Sequence, residues 1–261
     1  MPHFALELEY DGSGFIGWQR QRVGLSVQSV LEAAASRLVG GAHVASVTAG
    51  RTDSGVHAAG QVVDMHLDRD ITPFKLVDAL NYHMRPHRVA VLRAAIVPDD
   101  WSARFSAVHR RYRYRILNRQ ARPALLLGQV WHVHTRLDLD AMRIAAQALI
   151  GKHDFTSFRA TACQAKSPVR TLDRLDVREV GGLIEVAAEG RSFLHHQVRN
   201  MVGSLKLVGE GSWEISRMAE ALAARDRRAA GPTAPPDGLC LMGVEYPDDP
   251  FGPLSLLSSG R

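Results

Sequence analysis

Three residues that can do chemistry stand close together in one Gly-bounded segment, 49–63, AGRTDSGVHAAGQVV. Asp53 offers a carboxylate that can act as a nucleophile or a base, Arg51 lies two residues before it, and His57 follows at helical spacing. An Asp in such a turn is also a common turn residue that hydrogen-bonds its own backbone. The segment therefore leaves two interpretations open, a turn aspartate and a catalytic carboxylate that points into a cleft.

The elements around this segment are predicted from hydrophobic periodicity. Ser26 and Thr72 are expected to cap two amphipathic helices, with Pro73 at the first position of the second helix. Alternating segments predict four strands, HFALELEY, HVASVTAG, QVVDMHL and RVAVLRAAIV. The resulting order, β-α-β-β-α-β, is the ferredoxin-like arrangement.

The second part of the chain repeats this order with one added helix. Strands are predicted in HRRYRYRIL, RTLDRLDVREV, LIEVAAEG and LCLMGVEY, and Gly181-Gly182 indicates a hairpin between the middle two. Helices are predicted in DLDAMRIAAQALIG, SFLHHQVRNMVGSLKLVGEG and WEISRMAEALAARD. We expect an α/β (α+β) fold of two ferredoxin-like βαββαβ halves, 1–107 and 108–247, whose mixed or antiparallel sheets lie side by side. A cleft between them is a favoured place for a site, and 248–261 is expected to be a mobile tail.

A basic strand lies at the start of the second half. The chain has a formal net charge of +5, and residues 104–115, RFSAVHRRYRYR, hold five arginines and two tyrosines. Strand alternation places Arg110, Tyr112 and Tyr114 on one face and Arg111 on the other. Such a strand is either an RNA platform, with guanidinium groups for phosphates and rings for bases, or a half-exposed strand with tyrosines in the core.

Other residue types exclude several function classes. The two cysteines, Cys163 and Cys240, form neither a disulfide framework nor a CxxC metal motif, and Cys163 has no evident His or Asn partner for a nucleophilic role. His195 and His196, taken as neighbours on a helix, would point about 100° apart and could not both bind one ion well. We therefore predict no metal site. The N-terminus has no apolar signal-peptide core and no run approaches a membrane span, so a reducing cytoplasm is expected.

Several blocks of the sequence resemble one known family. GRTDSGVHA is similar to the signature of the tRNA pseudouridine synthase A family, and EYDGSGFIGWQRQ resembles its N-terminal block. Further similar blocks follow in the family's order: ARFSAVHRRYRYRILN, GKHDFTSFRA, SPVRTL, FLHHQVRNMVGSLKLVG, DRRAAGPTAPPDGLCL and GVEYPDD. The resemblance implies isomerisation of uridine to pseudouridine at nucleotides 38, 39 and 40 of the tRNA anticodon stem-loop. It also implies a homodimer, with no metal and no organic cofactor.

The resemblance also assigns roles to residues. It implies that Asp53 is catalytic, that Arg199 is the positive partner of its carboxylate, that Tyr112 packs on the target base, and that Arg51 helps to flip the base or hold the displaced position. The residues that it suggests for tRNA contact are Trp101, Arg104, Phe105, Arg110, Arg111, Cys163, Gln164 and Lys166. Phosphate contacts of this kind would position the RNA without reading its sequence.

Two other functions compete with the synthase. A catalytically silent RNA-binding protein would keep the fold and the basic strand, but binding alone does not need a buried carboxylate beside an arginine. A metal-dependent nuclease could use Asp53 and His57, but it lacks the second carboxylate cluster that two-metal phosphoryl chemistry needs.

Overall fold

The first half of the chain has the predicted ferredoxin-like order. A computed structural model describes residues 1–252. Its first half contains β1 (His3–Tyr10), α1 (Val27–Leu38), β2 (Ser46–Thr48), β3 (His57–His66), α2 (Pro73–Met84) and β4 (Val89–Ile96), with a 3-10 turn at Gly12–Gly14. Ser26 caps α1 by accepting from the Ser29 amide, and Thr72 caps α2 by accepting from the Lys75 amide.

The second half repeats the order with insertions. It contains β5 (His109–Asn118), β6 (Trp131–Val133), α3 (Leu139–Gln147), β7 (Gly151–Asp154), β8 (Val169–Leu172), β9 (Arg174–Val180), β10 (Leu183–Gly190), α4 (Gln197–Gly209), α5 (Arg217–Ala224) and β11 (Leu239–Glu245). The β9–β10 hairpin turns at Gly181-Gly182, whose φ values of 57° and 77° are the left-handed values that a tight hairpin requires. The strand predicted over 170–180 is divided into β8 and β9.

The two halves join in one continuous sheet. Its main path runs β4-β1-β3-β11-β5-β10-β9, with β2 paired to β3 and β6 paired to β5, and β7 and β8 form a separate pair. Each half has the same internal order, since β4-β1-β3 in the first half corresponds to β11-β5-β10 in the second. The junction is a short parallel pairing in which Cys240 lies beside His57 and Leu241 beside Ala58. The prediction of two similar halves side by side is confirmed.

The helix predicted over 192–211 is wrong at its start. It begins at Gln197, because the preceding residue, His196, has a left-handed φ of 62° that a helix cannot contain. Residues 192–196 therefore form a loop that approaches the first turn of α4. This correction decides the geometry of the site described below.

Two large hydrophobic cores lie within residues 1–252, one under the helices of each half, and a small third cluster surrounds Ala103. Tyr112 of β5 packs against both cores and so lies at their junction. Phe251 lies under the Arg93 guanidinium at 4.9 Å, and Arg93 also donates to Gly252 O at 3.0 Å, so the first residues of the expected tail pack on the first half. The remainder, 253–261, lies outside the described residues. Within residues 1–252, no helix is long and apolar enough to cross a membrane.

Candidate active site

The loop that carries Asp53 connects β2 to β3 and is fixed by hydrogen bonds from other segments. The Trp18 amide donates to Thr52 O at 3.0 Å. The Thr52 hydroxyl pairs with Tyr10 Oη at 2.8 Å, and the buried Gln61 amide donates to that phenol at 3.3 Å. The first two bonds fix Thr52, the residue next to Asp53, and the third fixes Tyr10, which supports Thr52. The aspartate backbone is therefore set by buried polar contacts, as a preorganised site requires.

Two glycines let neighbouring backbone approach this loop closely. A Cβ on Gly12 would collide with Val56 O, and a Cβ on Gly17 would lie 2.8 Å from Thr52 O. Gly17 also has a φ of +108°, which side chains disfavour. The N-terminal block EYDGSGFIGWQRQ thus has a structural purpose, because its glycines allow it to pack directly on the Asp53 loop.

Arg199 comes from the opposite half and meets the aspartate. It is the third residue of α4, and its Nη1 lies 3.2 Å from Asp53 Oδ2. Its Nε donates to Ala234 O at 2.8 Å, and Arg199 O accepts from the Ala234 amide at 3.1 Å. The two side chains are only 12 % and 21 % exposed. The structure thus brings together, across 146 positions of sequence, the pair that the resemblance implied.

Both histidines that precede α4 also reach the same carboxylate. His195 Nε2 lies 3.3 Å from Asp53 Oδ1, and His196 Nε2 lies 3.4 Å from Asp53 Oδ2. Their ring centroids are 4.0 Å apart. The expectation that these rings diverge is wrong, because the residues stand in a left-handed kink before the helix and not within it. Burial lowers the pKa of His196, although the negative charge of Asp53 opposes that change.

Neither histidine was selected as a site residue from the sequence. The signal that could have found them is their position directly before the Arg199 segment. Once Arg199 is paired with Asp53, a tight turn before α4 places its neighbours at the same carboxylate. The ligand atoms of Asp53, His195 and His196 lie within 4.8 Å of one another, so these residues could also hold a metal ion.

Tyr112 provides an aromatic wall near the aspartate. Its half-buried ring packs edge-to-face on Phe193, with 5.1 Å between ring centroids. Burial raises the pKa of the Tyr112 phenol, and the negative charge of Asp53 raises it further, so the phenol is neutral at physiological pH. Arg51 lies on the same loop as Asp53 with an exposed side chain.

His57 has a structural place, and within residues 1–252 no hydrogen bond or ion pair joins it to the carboxylate of Asp53. Its Nδ1 accepts from the Gly12 amide at 3.0 Å, and its Nε2 lies 2.8 Å from Gly128 O. Both ring nitrogens thus contact backbone groups, and Asp11 Oδ1 also lies 3.3 Å from Nδ1. A nuclease that uses Asp53 with His57 is therefore not supported by the geometry.

The residues suggested for tRNA contact differ in their exposure. Those with exposed side chains are Arg104, Phe105, Arg111, Gln164 and Lys166. The Arg104 guanidinium lies 5.4 Å from the Phe105 ring centre, and Phe105 is 77 % exposed. Arg111 already pairs with Glu245 at 3.4 Å. The half-buried residues are Trp101, whose ring lies 4.9 Å from that of Tyr246, and Cys163, which packs against the core of the second half.

Arg110 does not lie at the surface, contrary to the expectation that it contacts tRNA. It is buried, and its two terminal nitrogens donate to four backbone carbonyls. The acceptors are Ala107 O at 3.1 Å, Arg191 O at 2.7 Å, Ala49 O at 2.9 Å and Arg104 O at 3.0 Å. All four donors of these nitrogens are used. We therefore correct its role from phosphate contact to a buried cross-link between segments.

Comparisons with known proteins identify one family. A family model described as tRNA pseudouridine synthase matches residues 8–106 and 145–247. The tRNA pseudouridine synthase A of Acidiphilium cryptum (strain JF-5) is 66 % identical over 252 residues, covering 96 % of this chain and 99 % of that protein. The tRNA pseudouridine synthase A of Gluconobacter oxydans (strain 621H) is 55 % identical over 253 residues, covering 96 % and 92 %.

Similarity to a solved structure is weak. A chain of "Crystal Structure of a Cbf5-Nop10-Gar1 Complex" has 11 % identity and a TM-score of 0.35, covering 90 % of this chain and 50 % of that one, and it carries no argument. The sequence matches instead span both halves of the fold and include the Asp53 loop and α4. The chain therefore belongs to the tRNA pseudouridine synthase family.

Proposed function

We propose that this chain isomerises uridine to pseudouridine in tRNA, at nucleotides 38, 39 and 40 of the anticodon stem-loop. The reaction breaks the C1′–N1 glycosidic bond, turns the base and joins C5 to C1′. The proton on C5 is lost and N1 gains one, so no group is transferred away and no redox partner is needed. An ionised carboxylate can serve this reaction by attacking the sugar or the ring, or by removing a sugar proton.

The observation that carries the proposal is the partly exposed Asp53 carboxylate, 3.2 Å from the Arg199 guanidinium at the junction of the two halves. Placing a carboxylate in a sheltered pocket is costly unless a positive partner stabilises its charge. Arg199 supplies that charge, and Ala234 O fixes the guanidinium from its other side. The carboxylate is therefore held in one orientation before the substrate arrives.

The target base must leave its stack to reach Asp53. Base flipping costs a few kcal/mol, which stacking on side chains and filling of the gap offset. Tyr112 presents a neutral ring beside the aspartate, supported edge-on by Phe193. Arg51 is exposed and lies two residues from Asp53, and its proposed role is to enter the space that the base vacates. These two roles complete the proposed site.

Exposed basic and aromatic groups support a tRNA surface beside this site. The exposed side chains include two cations, Arg104 and Lys166, that form no ion pair within residues 1–252, together with Phe105 and Gln164. Arg111 would have to exchange Glu245 for a phosphate. We expect tRNA affinity to fall steeply with salt, because phosphate neutralisation releases counterions. Lys166→Gln and Arg104→Gln should each lower the slope of log affinity against log salt by about 1. Filter binding over a salt series measures this, and an unchanged slope in both variants would contradict the proposed surface.

The decisive experiment maps pseudouridine by nucleotide in unmodified tRNA transcripts. Wild type, Asp53→Asn and the exposed control Asp70→Asn are compared in parallel. Asp53→Asn preserves shape and removes the charge, so we expect it to bind tRNA and lose isomerisation by more than about 10⁴-fold. Asp70→Asn should match wild type.

Each other outcome has a defined meaning. Turnover by Asp53→Asn near the wild-type rate would remove the catalytic role of Asp53. Binding without pseudouridine in wild type would favour the silent RNA-binding protein. Cleavage of the tRNA that stops in EDTA would favour the nuclease.

We also infer that the chain works as a cytoplasmic homodimer that acts without a cofactor. Several large apolar side chains are exposed, including Leu125 at 97 % and Phe74 at 77 %. Analytical ultracentrifugation of the purified chain should give twice the mass of 28.7 kDa. A monomer at all concentrations would overturn the dimer, and recovery of the protein outside the cytoplasmic fraction would overturn the location.

A further inference from the structure

Three potential metal ligands converge at Asp53 from two separate segments. The distances from the two imidazole Nε2 atoms to the carboxylate oxygens are 3.3 Å for His195 and 3.4 Å for His196. Charge-assisted hydrogen bonds between an imidazolium and a carboxylate are shorter, about 2.7–2.9 Å. The two contacts are therefore longer than strong ion pairs, although the three side chains are close enough to bind the same metal ion.

The two distances, each to a different oxygen of the carboxylate, are close to the spacing between ligand atoms in a tetrahedral metal site. Zinc binds imidazole nitrogen and carboxylate oxygen at about 2.0–2.2 Å, so neighbouring ligand atoms around it lie about 3.3–3.5 Å apart. His196, with its left-handed backbone, brings its ring to 4.0 Å from the ring of His195. Two adjacent histidines can thus aim at one point, which they could not do within a helix.

We propose that Asp53, His195 and His196 bind one divalent transition-metal ion of the zinc class, and that this ion inhibits the enzyme reversibly by occupying the carboxylate of Asp53. The inhibitory consequence rests on the proposed function, whereas the binding site itself does not. A carboxylate bonded to a metal cannot attack the nucleotide or accept its proton. The bound ion would also fill the space in front of Asp53 that the flipped base must enter.

The donor set selects the class of ion. Two imidazoles and one carboxylate suit zinc, nickel, cobalt or ferrous iron, whereas magnesium prefers an octahedral shell of oxygen atoms. The His195 side chain is 42 % exposed, which leaves a route for the ion from solvent and a fourth position open to water.

Arg199 acts on this site in two opposing ways. Its guanidinium orients the carboxylate, as the outer hydrogen bonds of metal ligands do. Its positive charge also repels a cation at the same place. Binding therefore depends on the strong metal–imidazole bonds, and removal of either histidine should abolish it.

A second histidine cluster in the molecule provides the contrast and the control. His3, His66 and Asp99 also bring ligand atoms within 4.8 Å of one another. However, His3 uses both nitrogens, with Nδ1 2.9 Å from Pro98 O and Nε2 3.2 Å from Asp64 Oδ2. Both His3 nitrogens thus contact oxygen atoms of residues outside the cluster, so His3 does not face the other two residues as a ligand and this cluster is not a site. His66→Asn therefore tests whether an exposed histidine alone accounts for any binding.

The experiment measures zinc binding directly on the untagged full chain, with a fluorescent zinc indicator as competitor. Wild type and His66→Asn should each bind one equivalent of Zn²⁺. His195→Asn, His196→Asn and Asp53→Asn should each bind it at least about 100-fold more weakly, because each removes a direct ligand. These substitutions lie in two different segments. Circular dichroism of each variant shows whether it is folded, so that weak zinc binding is not confused with unfolding.

The second readout is pseudouridine formation in tRNA transcripts. Zn²⁺ should stop the reaction of wild type and His66→Asn at the concentration that saturates the site, EDTA should restore it, and EDTA alone should leave the rate unchanged. The proposal is overturned if wild type binds no stoichiometric Zn²⁺, if His195→Asn and His196→Asn bind it as wild type does, or if EDTA alone stops the reaction. If wild type makes no pseudouridine at all, the proposed function fails, and the binding titration still decides the metal site.

Discussion

The same connection in the two halves of the fold is built in two different ways. In the first half, the loop between β2 and β3 runs over residues 49–56 and carries Asp53. In the second half, the equivalent connection between β9 and β10 is the pair Gly181-Gly182. A Cβ on either of those glycines would meet no atom within 4 Å. The repeated fold therefore supplies two equivalent positions, and only one of them has the length and contacts for chemistry.

The difference lies in what surrounds each connection. The Asp53 loop is held by the Gly12–Gly17 segment, by the Tyr10 phenol and by backbone hydrogen bonds, while the second hairpin projects into solvent. The strand order thus decides where a loop begins and ends. The contacts from neighbouring segments decide whether that loop can hold a carboxylate in one place.

The largest expected effect comes from closing the tightest approach to the Asp53 loop. Gly12→Ala would put a methyl group into the backbone at Val56 O, which no side-chain movement can relieve. We expect a loss of about 3 kcal/mol or more in the free energy of unfolding, and a fall of at least about 100-fold in pseudouridine formation. Urea unfolding and single-turnover kinetics measure the two effects.

Gly181→Asn is the matched control for that substitution. Asparagine tolerates the left-handed backbone of Gly181, and the site has open space around it. The unfolding free energy should change by less than about 0.5 kcal/mol, with activity unaffected. If both substitutions changed the free energy of unfolding equally, the close packing of the Asp53 loop would not contribute more to stability than the open Gly181-Gly182 turn.

A smaller effect is expected from removing the phenol that supports Thr52. Tyr10→Phe deletes an oxygen that pairs with Thr52 Oγ1 at 2.8 Å and accepts from Gln61 at 3.3 Å. Because Gln61 is fully buried, its amide would lose a partner, at a cost of about 1–2 kcal/mol. We expect a reduced kcat with little change in tRNA affinity. A wild-type unfolding midpoint would show that these contacts do not hold the loop.

The smallest effect concerns Asp11, which caps the 3-10 turn at Gly12–Gly14. Burial would raise the pKa of Asp11, but hydrogen bonds from Ser13 and Arg88 outweigh it and lower the pKa to about 2. A folded-state pKa below the ordinary value stabilises the fold at neutral pH, and this contribution is lost as the pH falls from about 4 to 2. Asp11→Asn should therefore cost about 1 kcal/mol at pH 7, after allowance for solvent screening, and less at pH 3.

Urea unfolding at pH 7 and pH 3 checks this prediction, with the exposed Asp70→Asn as the reference. An equal loss for Asp11→Asn at both pH values would show that the charge of Asp11 has no part in the effect.

Periodicity and turn residues were sufficient for the fold. Alternating strands, the caps at Ser26 and Thr72, and the Gly181-Gly182 turn are local signals, and the repeated order predicts the two joined halves. The start of α4 was not predictable in the same way, since HHQVRN continues an acceptable helical pattern. The left-handed conformation of His196 comes from tertiary packing, which overrides local preference.

The site was predictable only in part, because its contacts join distant segments. The sequence marks Asp53 and the basic strand, but no spacing rule places Arg199 and two histidines on one carboxylate. Strand alternation gave the correct face for Arg110, yet it could not show that this end of the strand is covered by four backbone carbonyls. Side chains that reach across loops are set by the assembled structure.

The buried guanidinium of Arg110 has a consequence for how the molecule opens. Its four acceptors belong to the start of the Asp53 loop at Ala49, to the turn at Arg104 and Ala107, and to Arg191 before the histidine pair. Freeing any one of these segments leaves a buried cation with an unmet donor, so the segments should lose order together. In hydrogen exchange, their amides would form one cooperative unit, and a local fluctuation of the wild-type chain would open the Asp53 loop and the segment before α4 at once.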